Sequence, residues 1–399
     1  DGFYPSVTGS FVFSNVLKTD WLSFGKIRAG WAKVASDTDP YQLTNVFNQP
    51  TNFNGAPRYT LGTQNNNREL KPEMKETKEI GIEANFFKNR FGLDVTYYDV
   101  NITDAILPLT IDPATGFRTN LINAGEISNK GVEAMVFVTP VKTEDFSWTL
   151  NWNFAKNENK IVKLYEGVTT YQLTNAPFRA RLLAVEGESY GAIYGTDFVY
   201  DANGNKVIAS NGRYAATGIK NLGSTLPDYN MGLRNTMKYK NLSLSFLFDM
   251  QKGGKYFSTS HMWGMYSGMI EESAFGGNRA EGIILEGVLA NGNANTRRLT
   301  AQQYGAMHYN TVDALNVFDA DYIKLRDVTL GYDLPKSLIG GFLEGVRISA
   351  FGRNLLAWNL DWKGMDPENT SYGSGNIQGL EGGSLPSTRQ YGFNVNFKF

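Results

Sequence analysis

The chain has 399 residues, a formal net charge of −1, 13% aromatic residues, 42 glycines and no cysteine, a length that suits two or three ordinary domains or one large barrel. No run approaches the roughly 18 consecutive apolar residues of a membrane helix. With a mean hydropathy of −0.32, a helical membrane protein is excluded; interspersed charges offer no basic stripe to nucleic acid, and without cysteine there is no disulfide framework or thiolate chemistry.

The first residues, Asp1-Gly2-Phe3-Tyr4-Pro5-Ser6, carry neither the charged nor the apolar region of a signal peptide. Val7, Gly9, Phe11 and Phe13 already alternate with Thr8 and Ser10, so the chain starts almost inside a strand and is expected to be a piece of a longer protein. Lys26 to Val34 is a second strand, and a polar segment, Ala35 to Lys75, follows it. Three hairpins come next. In the first, Ile80, Ile82, Ala84 and Phe86 alternate with Glu79, Gly81, Glu83 and Asn85, Lys88-Asn89-Arg90 turns the chain, and Phe91, Leu93, Val95 and Tyr97 return. The second carries Val132 to Val138 in, turns over Pro140 to Asp145, and brings Phe146, Trp148, Leu150, Trp152 and Phe154 out against Ser147, Thr149, Asn151 and Asn153. Tyr229 to Lys238 and Leu242 to Phe248 make the third, around Tyr239 to Asn241.

One face of these strands is too aromatic for open water and the other too polar for a sandwich core, which is the alternation of a barrel with lipid outside and water inside. The last strand, Tyr391 to Phe399, alternates without a fault and ends on an aromatic. Two further strands, at about Phe178 to Val185 and Ala192 to Tyr200, balance the strand directions, giving about thirteen. That number is odd, whereas closed bacterial barrels have even numbers, so strands are expected to be missing from the N-terminal side. Long outer loops are expected at Asn101 to Ser128, Asp201 to Leu226, Gln251 to Ala320 and Leu356 to Ser387. Apolar parity flips between Ile323, Leu325 and Val328, Leu330, which predicts a β-bulge near Arg326 and Asp327, unless Tyr322 to Arg326 lies outside the ladder.

Several segments resemble a known family, the SusC/RagA-like TonB-dependent outer-membrane transporters. They are Leu70-Lys71-Pro72-Glu73, Glu79 to Glu83, Asn89-Arg90-Phe91 through Tyr97-Tyr98, Asn123-Ala124-Gly125-Glu126 through Glu133, and Glu186-Gly187-Glu188-Ser189-Tyr190-Gly191 with Tyr194-Gly195. Tyr239 to Leu242, Asp321 to Tyr332, Arg353-Asn354-Leu355, Asp366-Pro367-Glu368 and Pro386 to Arg389 complete the set, in order across nearly the whole chain. The resemblance implies a Gram-negative outer-membrane barrel of twenty-two strands, an N-terminal plug absent from this sequence, opening by TonB, and a SusD-like surface lipoprotein that delivers glycans or peptides. Residues 1–399 would then be the C-terminal part of a single all-β transmembrane barrel domain, completed by an N-terminal plug and barrel portion. A passive porin-like channel and a soluble glycan-binding β-protein are the alternatives.

No enzyme and no cofactor are expected. G-x-S-x-G, a phosphate-cradling loop and H-E-x-x-H are all missing. Glu79 and Glu83 share a face about 13 Å apart, too far for a glycosidase pair, and should line the lumen or its rim. His261 and His308 read as solvated loop residues, and Asp201 to Lys206 as a turn, because Lys206 stands where a calcium loop needs glycine. Trp148 and Trp152 belong to the lipid face. Substrate contact is expected at Trp263, Tyr266, Trp358, Trp362 and Tyr372, aromatic platforms in the two longest outer loops, with packing of those loops on one another or on the lipoprotein as the alternative.

Overall fold

The computed structural model describes residues 3–176, 179–277, 279–370 and 377–399. An eleven-stranded antiparallel sheet forms the wall, its strands in simple sequence order. They are β1 (Ser6–Phe11), β2 (Leu22–Ser36), β3 (Glu73–Phe86), β4 (Phe91–Thr103), β5 (Glu126–Lys142), β6 (Phe146–Lys163), β7 (Tyr229–Tyr239), β8 (Leu242–Lys252), β9 (Tyr322–Asp333), β10 (Gly345–Trp358) and β11 (Gln390–Lys398). The last strand pairs with β10, Val346 opposite Phe397 and Arg353 opposite Gln390. β1 and β11 are the two edges of this sheet.

Alternation along each strand sorts the wall into two faces. Val7, Ile80, Leu330, Phe393 and Phe397 stand exposed on one, Phe393 at 83%. So much contiguous apolar surface is unstable in water and natural against lipid. Aromatics gather at both margins of the apolar face. At one, Trp21 stacks on Phe86 and Phe86 on Phe91; at the other, Trp152 stacks on Phe154, Phe154 tilts onto Tyr229, and Phe248 onto Trp358. Tyr229 and Tyr239 close the two ends of β7, about 33 Å of strand apart. At the usual tilt of about 40° that is about 25 Å along the membrane normal, the height of an outer-membrane apolar band.

Two expectations about the wall need correction. It has eleven strands rather than about thirteen, because β6 pairs directly with β7 over Phe146–Ala155 and Asn230–Tyr239. The two segments expected between them join a separate four-stranded sheet built from Thr170–Asn175, Arg181–Val185, Ala192–Phe198 and Ala216–Ser224. Leu182, Leu183 and Ala184 are all buried in succession, so this strand is covered on both faces and offers none to lipid. Phe178, where the first of these strands was expected to begin, lies outside the described residues. The expected loop Asp201 to Leu226 is accordingly part of the longer connection 164–228.

All connections at one end of the wall are long, residues 37–72, 104–125, 164–228, 253–321 and 359–389, and those at the other end are short. The hairpin after β3 turns through Phe87, Lys88 and Asn89, all at positive φ. The bulge falls where parity predicts it: Leu247 faces Asp327 and Phe248 faces Leu325, so Arg326 has no opposite number. Tyr322, Lys324 and Arg326 therefore point to the polar face with Asp327 and Thr329, and both halves of β9 keep their apolar residues outside.

The long connections pack into a cap. Phe257 and Met262 of one connection form a core with Leu182 and Ile193 of another and Leu380 of a third. Val317–Asp319, Lys255–Ser258 and Leu380–Glu381 make a three-stranded sheet. Helices α1 (Thr259–Ser267) and α2 (Ala301–Asn310) lie beside it, α1 capped by the Ser258 side chain and α2 by a reciprocal Thr300/Gln303 box. The Glu381 carboxylate, almost completely buried, accepts from Ser258 Oγ at 2.6 Å, from Ser260 N and Oγ at 3.1 and 2.6 Å and from Gly383 N at 2.7 Å.

Candidate functional site

The polar face of the wall and the cap above it are the two places where a solute could be held. Charges on the polar face come as pairs, between adjacent strands for Lys26–Glu83 at 2.7 Å and Arg347–Asp333 at 3.1 Å, and across one intervening strand for Arg28–Asp94 at 2.5 Å and Arg234–Asp327 at 3.4 Å. Glu83 faces this side as expected and lines a hollow of about 700 Å³, with Asn85, Asp94, Phe137, Asn151, Asn153 and Arg234. A second hollow of about 300 Å³ lies where β4, β5 and β6 meet the cap, beside Asn129, Asn157, Asn159, Tyr190, Thr225 and Gln378.

Where the wall meets the cap, segments far apart in sequence hold one another. Lys324 of β9 reaches Asp366 and, at 2.6 Å, Glu368, both in the 359–389 connection. Arg326 binds Asp249 at 2.6 Å and also Glu368. Burial by itself would raise the Asp366 and Glu368 carboxyls. Lys324 with the Glu368 N–H and Ser387 outweighs it for Asp366, and Arg326 with Lys324 for Glu368, so both stay below the usual carboxylate range. Elsewhere on the rim Lys71 N donates to Asn123 Oδ1 at 2.7 Å and Asn123 Nδ2 to Lys71 O at 2.6 Å. The Ile106 N–H donates to Glu73. Tyr194 Oη donates to Glu188 at 2.9 Å, and burial, with that carboxylate beside it, pushes the phenol up to about 12. These contacts join the very stretches that carry the family resemblance, which explains their wide spacing in sequence.

The aromatic platforms are only partly assembled. Trp263 and Tyr266 of α1 meet edge to face at 5.5 Å, and Tyr309 of α2, which the sequence did not single out, stacks on Trp263 at 5.1 Å. Trp263 and Tyr266 keep exposed edges. Trp358 lies apart from them on the apolar side against Phe248. Trp362 is buried, stacked on Phe318 and donating to Glu272 at 3.0 Å. Tyr372 lies outside the described residues.

His261 and His308 are not solvated, contrary to expectation; both are buried in the cap with rings 5.2 Å apart. Asn316 Nδ2 is committed to the His308 carbonyl, so its Oδ1 accepts from Nδ1 of both rings at 3.0 Å. Burial lowers His261 below its ordinary value and takes His308 down to about 4. Among the described residues no group of three or more His, Cys, Asp or Glu is placed to hold a metal. Asp201 Oδ1 accepts from the Asn203 and Asn205 N–H groups, the expected turn.

The family model for the β-barrel of TonB-dependent receptor-like proteins matches residues 1–355. The chain belongs to this family. Among curated relatives, TonB-dependent receptors P26 and P3 of Formosa agariphila are 29% and 27% identical over the full chain, which covers 42% of each. The TonB-dependent receptor SusC of Bacteroides thetaiotaomicron is 25% identical over 92% of this chain and 38% of its own length. This TonB-dependent receptor-like chain thus spans about two fifths of the relatives it matches. Its fold is that of the RagAB peptide transporter, with a TM-score of 0.76 at 19% identity over 99% of this chain and 43% of that one. The open-open state of the RagAB peptide importer gives 0.77, also at 19%, over 99% of this chain and 42% of its own. For a TonB-dependent receptor-like wall, lipid-facing aromatics and paired inner charges are the expected division of labour.

Proposed function

We propose that residues 1–399 are the C-terminal part of one barrel domain in an outer-membrane importer of a Gram-negative bacterium. An N-terminal plug and the remaining strands complete it, energy arrives through TonB, and a SusD-like lipoprotein closes it from outside. Its cargo is an oligosaccharide or an oligopeptide. The work is conformational, so the residues of this chain hold, guide and release solute without covalent chemistry. One observation carries the reading: a wall apolar outside and charge-paired inside bears all its long connections at one end, packed into a cap above the polar face. Membership of the TonB-dependent receptor family supports the energy coupling. Uptake of labelled oligosaccharides and peptides by cells making the full-length protein tests it. Uptake should stop when TonB is inactivated; uptake that continues would identify a passive channel.

In this reading the 104–125 connection contacts the lipoprotein. Its hairpin of Ile106–Thr110 and Thr119–Asn123 is braced by Gln64–Asn65 and stands exposed at its tip. Deleting residues 111–118 should weaken co-purification of the lipoprotein at least tenfold; unchanged recovery would remove the assignment.

A further inference from the structure

On β2–β6 the outward face of the wall changes character above its apolar band. Backbone register aligns one row of outward residues across these five strands: Trp31 opposite Lys78, Lys78 opposite Asp99, Asp99 opposite Lys130, and Lys130 opposite Glu158. The row beneath is Ala29, Ile80, Tyr97, Val132 and Lys156, and the row above holds Lys33, Glu76 and Lys160. Ile80 and Tyr97 are exposed, so one continuous surface is apolar below and charged above. β2–β6 lie between β1 and β7, so each has both its neighbours within this chain and this sector of the wall is complete without further strands.

The height of the charged residues follows from the strand tilt. Lys78 is eight residues from Phe86 of the opposite aromatic margin, about 27 Å of strand. At a tilt of about 40° this is about 21 Å along the membrane normal, near the top of an apolar band about 25 Å tall. Rows climb relative to the membrane from β3 to β7, since the row of Phe86 runs through Phe91, Val138 and Leu150 to Asn235, four residues above the aromatic margin at Tyr239. Lys33, Lys78, Lys130 and Lys156 therefore share one level although they sit in three rows, spread over about 19 Å of wall. All four are exposed. Lys78 is matched to Glu76 at 3.1 Å and Lys130 to Asp99 at 3.3 Å, while Lys33 and Lys156 have no carboxylate partner among the described residues. With Lys160 there are five lysines against Glu76, Asp99 and Glu158, an excess of two positive charges. Trp31 Nε1 donates to Glu76 at 3.0 Å, which fixes its ring at the margin. The outer ends of β7–β10 differ: they carry Tyr229, Ile323 and Trp358, and Lys252 there is matched to Asp321.

A lipid in this position covers both surfaces at once, its acyl chains on Ile80 and Tyr97 and an anionic headgroup on the lysines above. Compact ammonium groups gathered at one level, two charges in excess, fit phosphate, which concentrates negative charge on a single group. We infer that the outward face of β2–β6 docks a phosphorylated lipid of the outer leaflet, with Lys33, Lys78, Lys130 and Lys156 on its phosphates and Trp31 and Tyr97 at the junction of headgroup and chains. From the transport reading above the inference takes only the orientation, long connections outward. A lipid site on the outside of the wall handles no cargo.

Full-length protein, located by sucrose-gradient fractionation of cell membranes and then purified in dodecyl maltoside, provides the test. It is titrated with diphosphoryl lipid A, or with the same lipid stripped of its phosphates, and bound lipid is counted by native mass spectrometry. The phosphorylated form should bind at least tenfold more tightly. Lys33→Gln/Lys156→Gln should remove at least tenfold of that affinity while the barrel keeps its heat-dependent electrophoretic shift, and the matching arginine pair should hold it within threefold of wild type. Lys142→Gln/Lys240→Gln, the same loss of charge at the opposite end of the wall, should change it less than twofold. Equal binding of the two lipid forms, indifference to the first pair, or an equal loss with the second overturns the inference and leaves the transport reading standing. Full-length protein absent from the outer-membrane fraction overturns both.

Discussion

Lys324→Met should release the 359–389 connection from the wall. The Lys324 side chain is only 4% exposed and lies between Asp366 and Glu368, so the ammonium is the main counter-charge of Asp366 and shares Glu368 with Arg326. Methionine keeps the length of the side chain and removes the charge, leaving two partly buried carboxylates against a thioether. Breaking one side of a buried pair costs about 3–5 kcal/mol. The lower figure applies here, because Arg326 still holds Glu368. About 3 kcal/mol is roughly a 100-fold shift in the docking equilibrium of the connection. Hydrogen exchange of the full-length protein in detergent reads this directly: residues 359–370 and 377–389 should lose about 100-fold protection while β7 and β8 keep theirs. The triple variant Lys324→Met/Asp366→Asn/Glu368→Gln should recover more than half of the loss, since no uncompensated charge remains at that pair. Protection unchanged within twofold in the single variant, or lower in the triple than in the single, would refute the reasoning.

Acid should loosen first the cap and then the latch that Lys324 and Arg326 form with Asp366 and Glu368. His308 is lowered to about 4 from an ordinary 6.5, so the folded cap binds fewer protons than the unfolded chain between those values. Its stabilisation is complete above pH 6.5 and falls progressively to about pH 4, and exchange of residues 301–317 should accelerate over that window. Asp366 and Glu368 are lowered from 3.8 and 4.5, so the latch is intact above about pH 4.5 and weakens only below it. Equal onset in both segments would sink the assignment. Glu381→Ala strands the buried Ser258 hydroxyl and should cost about 1–3 kcal/mol of cap stability, seen as faster limited proteolysis within 253–321. Gly92→Val should lower barrel yield through overpacking by about 1–3 kcal/mol. Adding Phe137→Ala should rescue part of that yield, because the colliding atoms belong to the Phe137 and Asn85 side chains.

Strand alternation is a local property, and it was enough to place the three hairpins, the last strand and the bulge at Arg326. A parity flip within one strand has no other remedy than an extra residue. The turn at Asp201 and the inward face of Glu83 were legible for the same reason. The aromatic platforms were half legible: Trp263 and Tyr266 are neighbours on one helix, but stacking by Tyr309 and burial of Trp362 come from elements distant in sequence. The polar side of β6 was legible in its alternation, whereas the role of Gly92 and Gly131 depends on rings delivered by neighbouring strands.

By itself, then, the sequence determined the wall: which residues face lipid, where the chain reverses and at which end the long connections lie. Only the tertiary structure decided how many strands the wall contains, since Arg181–Val185 and Ala192–Phe198 are strands either way and differ only in their partners. The same holds for His261 and His308, two residues of one long connection that become a buried pair when α1 and α2 pack together. Period and turn chemistry are written within a few residues of chain, but partner choice and burial are set by surfaces brought together across hundreds, and no local pattern encodes them.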